Sequence, residues 1–282
     1  MKWKRGPVSG DIEDRRGMRM TRIGGGLGGG AIIVLLLSLI FGQDLTGILG
    51  TGAEPGTATD PGAEQSGPIN ETPAERERVQ FVSFVLDSAQ SYWQRTFAAN
   101  GQDYQRARLV LYRDATNTAC GYGQSASGPF YCPGDQKVYI DLAFFDDLDR
   151  RFGAPGDFAQ AYVLAHEIGH HVQTLLGIDR QVRQLQQSNP SVANQAQVRM
   201  ELQADCLAGM FGNEMAAMGI LERGDVEEGL GAASAVGDDR IQRQTQGHVN
   251  PDAFTHGSAA QRAEWFRRGL QSGRIQACDT GI

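Results

Sequence analysis

Five residues, His166-Glu167-Ile168-Gly169-His170, constrain this chain more than any other stretch, because an HExxH spacing has chemical meaning only on an α-helix buried along one side. On a helix, positions i and i+4 lie about 40° apart and roughly 6 Å along the axis, so His166 and His170 present two imidazoles to one metal ion. Zinc is the natural occupant of such a pair. Glu167 stands about 100° round from His166, close enough to reach a water at the metal without ligating it, which is the place of a general base. Leu164, Ile168, Val172 and Leu175 fall on the opposite side. The helix predicted over Gly156 to Leu176 is therefore buried on one face and chemical on the other, and Gly177 stops it.

A catalytic zinc takes three protein ligands and keeps a fourth position open. Glu201 and Asp205 stand i, i+4 on a second long helix predicted over Val192 to Met218. Glu201 would complete a two-histidine, one-glutamate site, and Asp205 is spaced to accept a hydrogen bond from the free ring nitrogen of a ligand histidine. Ala204, Ala208 and Gly212 share a side, so this helix can approach the first closely. His256, in Phe254-Thr255-His256-Gly257-Ser258, precedes a helix N-terminus and is a candidate donor to the oxyanion of a tetrahedral intermediate, with a structural histidine as the alternative. His171 points away from the ligand face and reads as structural. His248 lies in a loop and carries no assignment, and Asp238-Asp239-Arg240 reads as a capping and ion-pair cluster with a supporting role at the site as the alternative.

Charge is unevenly spread along the 282 residues: the first 42 hold seven Lys/Arg and three Asp/Glu, leaving 19 basic and 30 acidic residues in the main body. An acidic body excludes nucleic acid as a partner, since phosphate binding needs a basic surface. All seven basic residues precede an uncharged run, Ile23 to Gly42, long enough to span a bilayer as a helix. The positive-inside rule then predicts a cytoplasmic tail over 1–22, a single-pass anchor over 23–42 and a body outside the cell membrane. A cleaved signal ending near Thr51-Gly52-Ala53 is the alternative. Three overlapping GxxxG spacings between Gly24 and Gly30 would permit a homo-oligomer through that helix. Residues 43–72, rich in Gly, Thr, Pro and Glu, read as a flexible linker, and the folded domain is expected over 73–282.

Within that domain, Val79 to Trp93 reads as an amphipathic helix, Arg108 to Tyr112 as a strand, and Phe130 to Cys132 with Lys137 to Asp141 as a hairpin turning at Pro133-Gly134-Asp135. The sheet's edge can take an extended peptide as an added strand. Further helices are predicted over Asp225 to Val236 and Ser258 to Gly269, with Ser258 as N-cap. The fold class is thus α+β, mainly helical, with a small sheet ahead of the motif helix. The four cysteines, Cys120, Cys132, Cys206 and Cys278, contain no CxxC, and their number alone leaves three pairings open. Cys120 and Cys132 flank a short connection between strands and close cheaply. Cys206 points away from the metal face, free to tie down the polar tail at Cys278.

Ser9–Gly17 (SGDIEDRRG), Gly128–Cys132 (GPFYC), His166–Gln173 (HEIGHHVQ), Glu201–Gly209 (ELQADCLAG), Gly237–Gln242 (GDDRIQ) and Phe254–Ser258 (FTHGS) together resemble the bacterial membrane-anchored neutral zinc metallopeptidases, a gluzincin-like family. The resemblance spans nearly the whole chain and implies a zincin-like catalytic domain, preceded by one transmembrane helix, that hydrolyses a peptide or protein substrate with Zn(2+). It carries His166, His170 and Glu201 over as ligands, Glu167 as base and Asp205 as the carboxylate behind a ligand. A protein of another class, tethered and zinc-containing but without proteolytic activity, would keep the same ligands and differ only in having no open coordination position.

Overall fold

A computed structural model describes residues 1–18 and 67–282. Its sheet has four strands in the order β1 (Ile12–Asp14), β2 (Arg108–Tyr112), β6 (Lys137–Asp141), β5 (Phe130–Cys132). β1 runs parallel to β2, β2 parallel to β6, and β5 antiparallel to β6, so β5 forms one edge. The period of two divides β2 cleanly: Leu109 and Leu111 face the main core, while Val110 and Tyr112 face a smaller cluster with Tyr139 and Cys132. A separate hairpin, β3 (Ala115–Thr118) with β4 (Gly121–Gln124), occupies the Gly/Ser-rich stretch that carries no strand pattern.

Helices supply the remaining mass. α1 (Pro73–Ala99) starts with Thr72 accepting from the Glu75 amide and buries Val82, Val85, Leu86 and Trp93 against the sheet and the motif helix. A short α2 (Phe144–Arg150) precedes the motif helix α3 (Asp157–Leu175), and α4 (Ile178–Ser188) leads into the second long helix α5 (Ala193–Ala217). α6 (Asp225–Ala235), α7 (Asp238–Gln246) and α8 (Ala259–Ser272) complete the order, α8 opening on a full capping box between Ser258 and Gln261. The architecture is the expected mainly helical α+β arrangement.

Small residues set how closely the helices approach. A Cβ on Gly169 of α3 would lie 3.2 Å from the Ala204 Cα of α5, and one on Gly212 of α5 would lie 3.1 Å from the Phe158 ring of α3. α5 and α8 come closer still: a Cβ on Gly269 would sit 1.9 Å from the Cys206 carbonyl oxygen, so only glycine fits there. Both expected disulfides are present, Cys120–Cys132 and Cys206–Cys278, with Cα separations of 5.8 and 5.4 Å.

The predicted localisation is corrected by the N-terminal segment. Residues 1–18 belong to the same folded unit as the rest. β1 pairs with β2 in register Ile12 to Leu109. Trp3 meets Phe81 edge-on at 5.4 Å, and the Met1 ammonium lies 2.8 Å from Asp157 at the first turn of α3. Arg16, 5% exposed, is ringed by Asp14, Glu71 and Glu75 at 2.6, 3.0 and 3.0 Å. A single crossing between residues 23 and 42 would place β1 and β2 on opposite sides of a membrane, which their hydrogen bonds forbid, so the single-pass arrangement with residues 1–22 in the cytoplasm and the body outside does not hold. Among the described residues no helix is long and apolar enough to cross a membrane. The run 23–42, its GxxxG spacings and most of the linker lie outside the described residues.

Burial alone would lower the Arg16 pKa, but the three carboxylates overcome it and raise it. Removing that cation takes an ion-pair partner from three partly buried carboxylates, of which Glu71 keeps Arg76 and Glu75 keeps Arg113. Arg16→Met is therefore expected to cost about 2–4 kcal/mol in urea unfolding, the partial exposure of the carboxylates keeping the loss below the full buried-pair value. A change within about 0.5 kcal/mol, as for a substitution in a free tail, would show that residues 1–18 do not belong to the fold.

Candidate metal centre

α3 and α5 meet so that side chains one turn apart on each helix converge. Leu164, Ile168 and Val172 of α3 are buried on the far side, and His166 and His170 turn towards α5 with ring centroids 4.7 Å apart. From α5, the Glu201 Oε2 comes within 3.2 Å of His166 Nε2 and 3.4 Å of His170 Nε2. The other ring nitrogens are already engaged. His166 Nδ1 lies 2.9 Å from Asp205 Oδ1, and His170 Nδ1 lies 2.8 Å from Gln173 Oε1.

These partners decide what the three convergent atoms are. Both Asp205 and the Gln173 carbonyl accept, so each Nδ1 carries the proton in the neutral ring and each Nε2 offers a lone pair. Three acceptors facing one point suit a cation. Separations of 3.2 and 3.4 Å also match the edge of about 3.4 Å of a tetrahedron with zinc bonds near 2.05 Å. His166, His170 and Glu201 thus fit zinc by atom type and spacing.

The electrostatics follow from the same contacts. With no cation between the rings, burial would lower the His166 pKa but the Asp205 and Glu201 carboxylates push it up to about 9, so the site holds a proton that a bound metal ion would displace. His170 is raised in the same way, against burial, by Glu201. Glu201 is held well below the usual carboxylate range, since the imidazoles outweigh the burial that would raise it. Asp205 is fully buried yet also lowered, chiefly by Arg262 once burial is overcome.

Arg262 and Tyr162 are the residues that sequence reasoning missed. Arg262, 4% exposed on α8, donates from Nε to Asp205 Oδ2 at 2.9 Å and from a terminal nitrogen to Asp205 Oδ1 at 3.0 Å. The Tyr162 hydroxyl donates to the same Oδ1. Their signals were present but local: Tyr162 precedes His166 by one turn, and Arg262 interrupts the apolar stripe of α8 one turn before Phe266. Gln173 has the same kind of signal, three residues after His170, and Gln197, one turn before Glu201, donates to Glu201 Oε1 at 3.0 Å.

His166, His170 and Glu201 line a cleft of about 1050 Å³ that is also lined by Glu167, Tyr131 of the edge strand and His256. The Asp238 cluster is more than a set of caps. Asp238 Oδ2 accepts the amides of Thr255, His256 and Gly257 at 2.7, 2.6 and 3.0 Å, and its Oδ1 lies 3.2 Å from His256 Nδ1. That leaves His256 half-exposed with Nε2 free for the cleft. Burial lowers its pKa and Asp238, with the Glu201 charge, raises it overall. Asp239 accepts the Ala259 amide at 2.7 Å, joining α7 to the start of α8. His248 stands on an exposed turn beside the Gln246 carbonyl.

Residues 1–281 match the family model described as "Putative neutral zinc metallopeptidase". The chain is 48% identical over 290 residues to the uncharacterized protein YpfJ of Escherichia coli (strain K12), an alignment covering 99% of this chain and 98% of that protein. It is 46% identical over 188 residues to the uncharacterized protein Rv2575 of Mycobacterium tuberculosis (strain ATCC 25618 / H37Rv), covering 63% of each. No solved structure matches the chain.

Asp205 fixes the His166 ring, so if His166 binds zinc, Asp205→Ala is expected to raise the zinc dissociation constant about 10–100-fold in competition with a chromophoric chelator. Arg262→Met should weaken zinc in the same direction and lower stability by about 3–5 kcal/mol, since it strands a buried carboxylate. Unchanged affinity in both variants would remove the Asp205–Arg262 pair from the account of the site.

Proposed function

The chain belongs to the zinc metallopeptidase family that its residues 1–281 match, and from that premise we propose that it hydrolyses peptide bonds in a protein or peptide substrate, with His166, His170 and Glu201 holding zinc. The observation that carries this reading is the convergence of the three acceptors in an open cleft that the Glu167 carboxylate, outside that cluster, also lines. Zinc in that position would polarise a scissile carbonyl and acidify a water.

The protein's own residues supply the rest. Glu167 follows His166 directly on a rigid helix, and in this reading takes a proton from the attacking water and delivers it to the leaving amine. His256, its Nδ1 donating to Asp238, acts in this reading as the protonated imidazolium, so that Nε2–H can donate to the oxygen that gains charge as the carbonyl becomes tetrahedral. Asp238 acts through it, as a positioning residue. The free edge of β5 beside the cleft accepts the substrate backbone as an added strand, so recognition requires an extended segment.

The competing reading, a zinc-containing binding module without proteolytic activity, predicts the same ligands. The cleft over them favours an open coordination position, and a hydroxamate tests it: inhibition and tight binding are expected, whereas a closed structural zinc would bind none.

Glu167→Gln is expected to lose about 10²–10⁴-fold in hydrolysis of an unstructured protein substrate while retaining one zinc per chain. His256→Ala should lower kcat by about 10²-fold with a smaller effect on KM. Full activity in Glu167→Gln at normal zinc content would refute the mechanism.

A further inference from the structure

We infer that His171 and Tyr131 form a positioning pair that sets the depth of the substrate-binding edge strand relative to the metal ligands; this rests on the peptidase reading and deepens it. His171 follows the ligand His170 but turns to the opposite side of α3, where it is fully buried. Its Nε2 lies 2.6 Å from the Gln105 carbonyl oxygen and its Nδ1 lies 3.0 Å from the Tyr131 hydroxyl. A carbonyl can only accept, so Nε2 carries the proton and Nδ1 accepts. The Tyr131 O–H must then be the donor. The relay has one consistent direction: Tyr131 to His171 to Gln105.

This relay joins three elements. Tyr131 lies on β5, Gln105 on the connection between α1 and β2, and His171 on the helix that carries two ligands. Aromatic contacts hold the ring in place: Tyr104 meets it edge-on at 5.7 Å and Tyr131 at 5.5 Å. Tyr104 is itself fixed, its hydroxyl donating to Gln90 Oε1 at 2.6 Å.

β5 is three residues long and lies at the border of the sheet, so its hydrogen bonds to β6 do not by themselves define its depth. Its two faces do. Phe130 stacks on Tyr139 at 5.0 Å and Cys132 is bonded to Cys120 on one side, while Tyr131 is tethered to His171 on the other. A peptide added to the free edge lies about 4.8 Å from β5, so any shift of β5 is passed to the scissile carbonyl. Displacements near 1 Å at a reacting centre cost substantial rate. Because the tether is adjacent in sequence to a ligand, strand and metal site move together.

The expected signature is a dependence on substrate length. A blocked dipeptide barely reaches along β5, whereas a peptide with three residues on each side of the cleaved bond must pair with it. In Tyr131→Phe and in His171→Gln, the ratio of kcat/KM for the long peptide to that for the short one is expected to fall about 3–10-fold, mostly through KM, the scale of one lost hydrogen bond. The double variant should be no worse than the poorer single one, and zinc content should be unchanged. His171→Asn, which keeps an acceptor near the Nδ1 position, should recover part of the ratio. Circular dichroism checks that each variant is folded, and Tyr131→Phe, which removes only an oxygen, serves where His171 variants are not. A ratio within about 1.5-fold of the parent in folded Tyr131→Phe, equal losses on both peptides, or additive losses in the double variant would overturn the proposal. If the parent protein cleaves neither peptide, it is the peptidase reading that fails. Calorimetric binding of a long and a short peptide hydroxamate then replaces kcat/KM, and equal sensitivity of both ligands to Tyr131→Phe again overturns the positioning role.

Discussion

Everything at the centre depends on how close α3 and α5 lie. His166 and His170 on one helix and Glu201 on the other can meet at one point only if the backbones nearly touch, and Gly169 against Ala204 allows that approach. A larger residue at either position would push the helices apart by about the length of a bond, and the convergence of the three acceptors would be lost before any ligand changed. The packing of small residues and the chemistry of the site are in this sense one constraint.

That close approach brings several charges out of water, and the structure answers with pairing. Glu201 and Asp205 are buried with, among the described residues, one arginine, Arg262, beside them. Arg262 neutralises Asp205, which in turn holds His166, while Glu201 is left to face the two Nε2 atoms. Asp205 is thus taken up by fixed partners, while Glu201 Oε2 is left facing the two imidazole nitrogens. Buried charges arranged this way contribute little net stability, but each becomes costly to leave alone, so the set specifies a single geometry.

Around this centre the chain uses connections that are long in sequence. The Cys206–Cys278 bond ties the C-terminal segment to the ligand helix, one residue beyond Asp205. The N-terminal segment reaches α3 from the other side, through the Met1 ammonium and Asp157, and supplies a strand to the sheet. SGDIEDRRG, which suggested a family but no role, is the turn, strand and buried arginine of this segment. A single membrane crossing between β1 and β2 is incompatible with it, and that pairing overrides the single-pass arrangement that local hydropathy suggested.

Reading the sequence alone determined what is set by short-range periodicity. The helical repeat fixes where His166, Glu167 and His170 point, places Glu201 and Asp205 on one face, and turns Cys206 away from them; the hairpin of β5 and β6 announces itself by its turn. Tertiary structure alone decided what depends on partners far along the chain. β1 is too short to carry a pattern, Arg262 looks like any basic residue on a helix until Asp205 is brought beside it, and Asp238 orients His256 only because α7 and the loop before α8 fold together. The depth of β5 has no sequence signal at all, since it is fixed by a hydroxyl meeting a ring nitrogen on a helix that follows it in the chain. Local periodicity is written into neighbouring residues. Which distant groups meet is settled by the packing of the whole chain.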